Sequence, residues 1–584
     1  MEPAPDIMNQ IPSPGFPPSR FPAWLRPARI VCFLLYPGSR YVLAWLIALF
    51  ATTLAVIFAW RDFNNPNRPD GNNGHVTIDF GGQWLMGRML IKGHARHLYD
   101  RNYHRTILEE SYPRADQAPD QDANDADKLL SWLMGEDDSK ARPVIGSFLT
   151  PLAATDPLTA AALLDAGRTE WTEERLARVT APHVGGPLYP PINMFIFGPL
   201  GLLRPQAAYR AMQAFNVFLI YLAALGICLT TRGRIWWPVA VTLIIIFPGF
   251  SGALVLGQNA LLSLSLLVFG WWQIGRGRPI LGGVLWGLLA YKPVWLVAFF
   301  LVPVLTRRWR VCGAMIATGA VLSLATLPLA GLQPWFDWFH VGREATALYD
   351  TDTNWIFLSR DLLGVPRRYL LDFREDAEEL NPHGPLPKIL GVSWVTGVVL
   401  ITIALALRRP RQATALEGPA PAFLLLGAWM SCFHFMYYDV LLAILPVCLL
   451  FTEPRRYFEQ TFLEIRVLRP TAVPFWNELA GYYRPQPGLA MPPVAFLSAV
   501  PLPAGRGSLW VLNRAAPTLL VLLLALPPLA EWFYVAFRDA HHEPPFDTFC
   551  LFALWLWCGW TWWRSGEERG AWSVEREDRE MALA

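Results

Sequence analysis

Apolar runs of bilayer length recur along this chain, and no other feature narrows its possible folds so far. The first, YVLAWLIALFATTLAVIFAW, occupies Tyr41 to Trp60. About 20 such residues rise roughly 30 Å as a helix, enough to cross a hydrocarbon core. Further apolar runs continue as far as Trp563. Composition points the same way, since 53% of the 584 residues are hydrophobic and only 16% are charged, with a mean hydropathy of +0.28. Soluble classes are excluded, and the chain is expected to be an all-α polytopic membrane protein.

The charges are few and lie mostly in loops. A net charge of +2 offers no basic face for nucleic acid. Arg26, Arg29 and Arg40 precede the first span, which sets its N-terminal end in the cytoplasm by the positive-inside rule. Residues 1–40 are then a cytoplasmic tail without the form of a signal peptide, 41–60 the first transmembrane helix, and 61–187 a large extracytoplasmic loop with an acidic stretch, DQAPDQDANDADKLL. A multi-helix core follows over 188–450, interrupted by a second outside loop at 332–387. Residues 451–510 are expected to be a cytoplasmic loop, 511–565 a C-terminal hairpin and 566–584 a cytoplasmic tail. The total comes to about 11 to 13 membrane segments. Leu188 to Leu229 fits poorly, being too long for one span and too short for two.

Arg-rich clusters punctuate the core at 230–234, 275–278, 306–310, 408–412 and 453–456. If all face the cytoplasm, three of the intervening segments must be hairpins. Their tips fall at Gly257-Gln258-Asn259, at Lys292-Pro293, and at His434 to Asp439. The arms are short for full spans, so the tips are expected at a recess in the membrane, where protein or water covers polar backbone. On this topology all ten histidines fall in outside loops or at a tip.

Several residues carry candidate chemistry beside an ordinary structural reading. Asp79, in VTIDFGGQWLMGRMLIKGHARHLYD, is either the N-cap of an interfacial helix or a general base facing an acceptor hydroxyl. Lys292 sits in GLLAYKPVWLV, where insertion of a charge costs on the order of 2.5 to 3.5 kcal/mol. It either snorkels past a proline kink or binds an anionic group such as a lipid phosphate. His434, Tyr438 and Asp439, in FHFMYYDVLLAILP, form an aromatic belt with a helix cap or contribute to a site. Gln258 and Asn259 close a turn or bind sugar or phosphate. In LYPPINMFIFGPL, which contains Tyr189, the proline pair sets a helix entry angle. DTDTN at 350–354 imitates a nucleotide-sugar metal site, but its expected place outside the cytoplasm discounts it.

Other chemistries find no support. The seven cysteines form no CxxC pair and read as packing residues. No P-loop, GxSxG, HExxH or dinucleotide motif is present, and no internal repeat of the kind that marks secondary transporters. Neither a metal nor a cofactor is implied.

Taken in order, DFGGQWLMGRMLIKGHARHLYD, LYPPINMFIFGPLGLL, GQNALLSLSLLVFGWWQIGRGRPILGGVLWGLLAYKP and YYDVLLAILP resemble the polyprenol-phosphate-dependent mannosyltransferases of glycosyltransferase family 87, in the GT-C superfamily. The resemblance spans about residues 76 to 450, with an insertion at about 112 to 180 and no counterpart after Phe451. It implies a GT-C fold whose extracytoplasmic site is roofed by interfacial helices, in a bacterial inner membrane. The partners it implies are a polyprenyl-phosphate sugar donor, most often mannosyl, a lipid or glycan acceptor, and membrane lipids. It carries the role of catalytic base to Asp79, in an inverting, metal-free displacement. Lys292, with Arg88 and Arg360, would bind the donor phosphate, and Tyr189, Gln258, Asn259, His434, Tyr438 and Asp439 would contact substrate. The competing expectation is a transporter or flippase for a lipid-linked or anionic substrate.

Overall fold

Proline and glycine punctuation governs where helices begin and break. The computed structural model describes residues 37–64, 80–111, 187–350, 353–373, 380–450 and 545–583. Asp79, the acidic insertion, residues 451–544 and the N-terminal tail up to residue 36 lie outside the described residues.

Among the described residues, four helices are long and apolar enough to cross a membrane. They lie in α1 (Pro37–Asn64), α5 (Pro205–Thr230), α11 (Trp309–Ala330) and α15 (Leu386–Arg408). The protein is an all-α polytopic membrane protein. Many helices open on a proline in the first turn, as α5 and α15 do, because the N–H that proline lacks would have no intrahelical partner there. Leu188 to Leu229, too long for one span, divides into a short helix α4 (Asn193–Gly201) and the long α5.

The three expected tips are breaks between short helices. α6 (Trp237–Ile246), α7 (Phe250–Val255) and α8 (Ala260–Gly275) are separated by residues 247–249 and 256–259. Gly249 and Gly257 turn the chain there with φ of 85° and 61°, values an L side chain adopts poorly. α9 (Pro279–Gly287) tightens into a 3-10 turn, Leu288–Tyr291, before Lys292 and α10 (Pro293–Leu305). α16 (Pro419–Met430) gives way to irregular chain, a 3-10 turn at Tyr437–Ala443, and α17 (Ile444–Leu450).

Among its described residues, the first loop packs against the helices that follow it. Its helix α2 (Phe80–Ile91) is buried through Phe80 to Gly87 and again at Met89. α4 packs across it at backbone contact: a Cβ on Gly87 would sit 2.1 Å from the Phe197 carbonyl oxygen, and one on Gly201 2.3 Å from the Gly87 backbone. Gly87 of α2 and Gly201 of α4 therefore serve close helix packing. α3 (Arg101–Ser111) follows, and the second loop supplies α12 (Gln333–Tyr349), α13 (Thr353–Leu358) and α14 (Gly364–Leu370). Arg101 reaches Glu344 at 3.2 Å and the Trp338 indole donates to the Leu188 carbonyl at 3.0 Å, so α12 is tied to the first loop.

The C-terminal helix α18 (Phe546–Leu583) is continuous into the expected tail. It packs on α16, with Phe423 and Trp555 stacked at 5.1 Å.

Candidate active site

Breaking a helix inside an apolar body strands carbonyl groups that must find donors. Around residues 255–259 the donors come from three other parts of the chain. Tyr209 on α5 donates its hydroxyl to the Val255 carbonyl at 2.5 Å. The Phe80 amide at the start of α2 donates to Leu256 at 3.2 Å. Gln83 and Asn216 send amide N–H groups to Gly257 and Gln258 at a long 3.5 Å. Tyr291 donates to the Asn259 carbonyl at 3.1 Å and shares a 2.6 Å hydrogen bond with Ser263.

The other motifs attach to this break. The Tyr189 hydroxyl donates to Gln258 Oε1 at 2.8 Å. Its own carbonyl receives the Tyr99 hydroxyl at 2.5 Å, which explains the tyrosine of Leu98-Tyr99-Asp100. Asn193, buried at the start of α4, donates to the Tyr291 carbonyl at 2.6 Å. Phe80, the neighbour of Asp79 in sequence, is pressed against Gly257, where an added Cβ would meet it at 2.9 Å.

Next along the chain from Tyr291 is Lys292. Its Nζ lies 2.7 Å from both carboxylate oxygens of Asp439 and 5.1 Å from the centre of the Tyr438 ring. Asp439 is fully buried and Lys292 is 8% exposed. The lysine is thus accommodated by a paired carboxylate and an aromatic face, not by snorkelling. An ammonium has three N–H bonds, of which Asp439 engages two.

His434 is placed by the second loop. Its Nδ1 is 3.5 Å from Asp361 Oδ2, and its ring lies over Tyr349 at 3.5 Å. Burial alone would raise the Asp361 pKa, but His434, the Ser359 hydroxyl and the Gly364 amide together hold it below the ordinary carboxylate value. The result is a buried anion that orients an imidazole only a quarter exposed.

The two arginines are engaged in bracing. Arg88 donates to the Gly201 carbonyl at 3.0 Å, at the far end of α2 from Phe80. Arg360 pairs with Asp547 at 3.1 Å and donates to the Phe357 carbonyl at 2.7 Å, while Thr548 donates to its carbonyl at 2.8 Å. Of the sequence candidates, the structure joins Tyr189, Gln258, Asn259, Lys292, Tyr438 and Asp439 through successive contacts. His434 stands beside them on its own carboxylate. Sequence reasoning passed over Gln83, Asn193, Asn216, Tyr291 and Asp361. For the three amides the signal was there to find, because a side-chain amide inside an apolar run needs a reason.

An all-helical membrane bundle whose polar residues meet at broken hairpin tips is a class shared by enzymes and transporters of lipid-borne substrates. Residues 188–420 match the family described as glycosyltransferase family 87. Over that region, less than half of the chain, the protein is similar to membrane glycosyltransferases of this family. The match takes in Tyr189, Gln258, Asn259, Lys292 and Arg360, and leaves Asp79, His434, Tyr438 and Asp439 outside it. No curated protein and no solved structure matches the chain.

Proposed function

We propose that the protein transfers a hexosyl group, mannosyl in the first instance, from a polyprenyl-phosphate sugar to a lipid or glycan acceptor at the extracytoplasmic face, with inversion at the anomeric carbon. The observation that carries this reading is the attachment of one motif to the next, from Phe80 through Gln258, Asn259 and Tyr291 to Lys292 and Asp439. An enzyme of this kind needs its acceptor-activating acid and its phosphate-binding cation near one another, and the chain beside Asp79 is tied to the segment that leads to Lys292.

In the proposed reaction Asp79 takes the proton of the acceptor hydroxyl. The acceptor oxygen forms its bond to the anomeric carbon from the face opposite the phosphate. The bond from that carbon to the phosphate oxygen breaks, and its electron pair leaves with polyprenyl phosphate. That leaving group gains negative charge as it departs, so positive charge nearby favours the transition state over the ground state. Lys292 supplies it, while Asp439 and Tyr438 fix the ammonium in place. His434, oriented by Asp361, contacts substrate from the second loop. Arg88 and Arg360 act on the site through the packing they brace.

The test is transfer by the purified full-length chain, given polyprenyl-phosphate mannose, glucose or galactose and a membrane lipid extract. Asp79→Asn is expected to lower the rate by roughly 100-fold or more, with little change in donor affinity. Equal product from wild type and variant would remove Asp79 from the mechanism. Transbilayer movement of the intact donor in vesicles, without transfer, would instead favour the flippase reading, for which a buried Lys292–Asp439 pair is also suitable.

A further inference from the structure

The helix break at residues 255–259 is lined by more hydrogen-bonding capacity than its backbone uses. A carbonyl inside the protein needs one donor, and the Tyr209 and Tyr291 hydroxyls provide it while their own oxygens are served by the Gln213 amide and the Ser263 hydroxyl. A side-chain amide does the same work but brings an oxygen that needs a donor of its own. Among the described residues the Gln83 and Asn193 side-chain oxygens have none, and neither atom of the Asn259 amide has a partner. All three residues are completely buried.

Their orientation is fixed by their surroundings. Exchanging oxygen and nitrogen in Gln83 or Asn193 would set an oxygen against the Gly257 or Tyr291 carbonyl, so the unsatisfied atoms are acceptors. For Asn259 the exchange changes nothing, because both atoms are unpartnered. Asn259 also does not cap α8, the helix it precedes. Three acceptors and one amide N–H₂, with the Asn216 side-chain oxygen as a fourth unpartnered acceptor at the same break, suit a ligand rich in hydroxyl groups. A phosphate would bring only acceptors, and a lipid chain neither donors nor acceptors.

We propose that Gln83, Asn193 and Asn259 form the subsite that recognises the hydroxyl groups of the transferred sugar. This rests on the reading of the protein as a transferase using a lipid-linked sugar, and it assigns the sugar end of that donor to the amides and the phosphate end to Lys292. Gln83 lies one helical turn past Phe80 on α2, so the sugar is read from the same helix that follows the proposed base.

Binding separates this from the transfer reaction. Purified full-length protein is titrated with a short-chain polyprenyl-phosphate mannose and with the same polyprenyl phosphate lacking sugar. Wild type is expected to bind the sugar-bearing lipid at least tenfold more tightly. Asn259→Ala removes no hydrogen bond, so its melting temperature should hold or rise while that preference falls toward one and affinity for the sugar-free lipid stays the same. Gln83→Leu should lose the preference likewise, though with a lower melting temperature because the Gly257 carbonyl also loses its donor, which guards against a peculiarity of one position. An unchanged preference in both variants would overturn the proposal, as would a wild type that does not distinguish the two lipids. A lower melting temperature with the preference intact would also overturn it, marking the amides as holders of buried water. Asp79→Asn should retain the preference while transfer falls; discrimination by wild type with no transfer to any acceptor would sink the transferase reading and leave the subsite standing.

Discussion

Lys292 and Asp439 show how one contact changes the meaning of two residues. A lone lysine in an apolar segment suggests a ligand, but its partner lies far along the chain and removes much of the anomaly. Removing one member of such a pair leaves a bare buried charge, so Asp439→Asn should destabilise the protein by about 3–5 kcal/mol. The double variant Lys292→Met, Asp439→Leu should recover most of that in thermal melting. If Lys292 also serves the donor phosphate, transfer stays lost in the stable double variant; recovered transfer would make the pair purely structural. His104 offers a pH-dependent counterpart outside the membrane spans. Its Nε2 donates to the Leu98 carbonyl at 2.7 Å, and burial lowers its pKa from 6.5 to about 4. The folded value lies below the unfolded one, so its contribution is whole above pH 6.5 and is lost as pH falls toward 4, by at most roughly 3 kcal/mol. His104→Gln keeps a donor and cannot titrate in this range. Its melting temperature should fall less steeply than that of wild type between those values.

At the level of elements, α2 and α4 meet where two glycines let their backbones touch. Gly87→Ala should lower stability by about 1–3 kcal/mol. Gly313, within α11, has nothing within 4 Å of a built Cβ, so Gly313→Ala should be neutral or stabilising by up to about 1 kcal/mol; melting in one detergent compares the two. The positions of the breaks were legible from sequence, because GQN, KP and FHFMYYD each interrupt an apolar run with groups that a regular helix in lipid cannot hold. The burial of α2 was not. Its glycines and Trp84 fit an interfacial helix equally well until α4 supplies the surface they pack against. Nor was the role of Arg360 legible, since its carboxylate partner Asp547 lies on a helix with no resemblance to guide the pairing.

Across the whole molecule, the C-terminal helix belongs to the body that holds the site, although it lies beyond the family match. Asp547 and Thr548 on α18 grip Arg360, whose amide in turn donates to the Phe435 carbonyl beside His434 at 3.1 Å. Asp547→Asn combined with Thr548→Val should speed hydrogen exchange over residues 353–373 and leave α5 and α8 unchanged; equal exchange throughout would show that α18 braces nothing. The order of motifs was readable because each is short and local. The network joining them was not, because it is made of single contacts between distant segments. The locked ammonium and carboxylate have one more consequence, electrical in kind. A free charge crossing a bilayer feels about 2.3 kcal/mol per 100 mV, but opposite charges held 2.7 Å apart span only about a tenth of a 30 Å core. The membrane potential therefore has little hold on this pair.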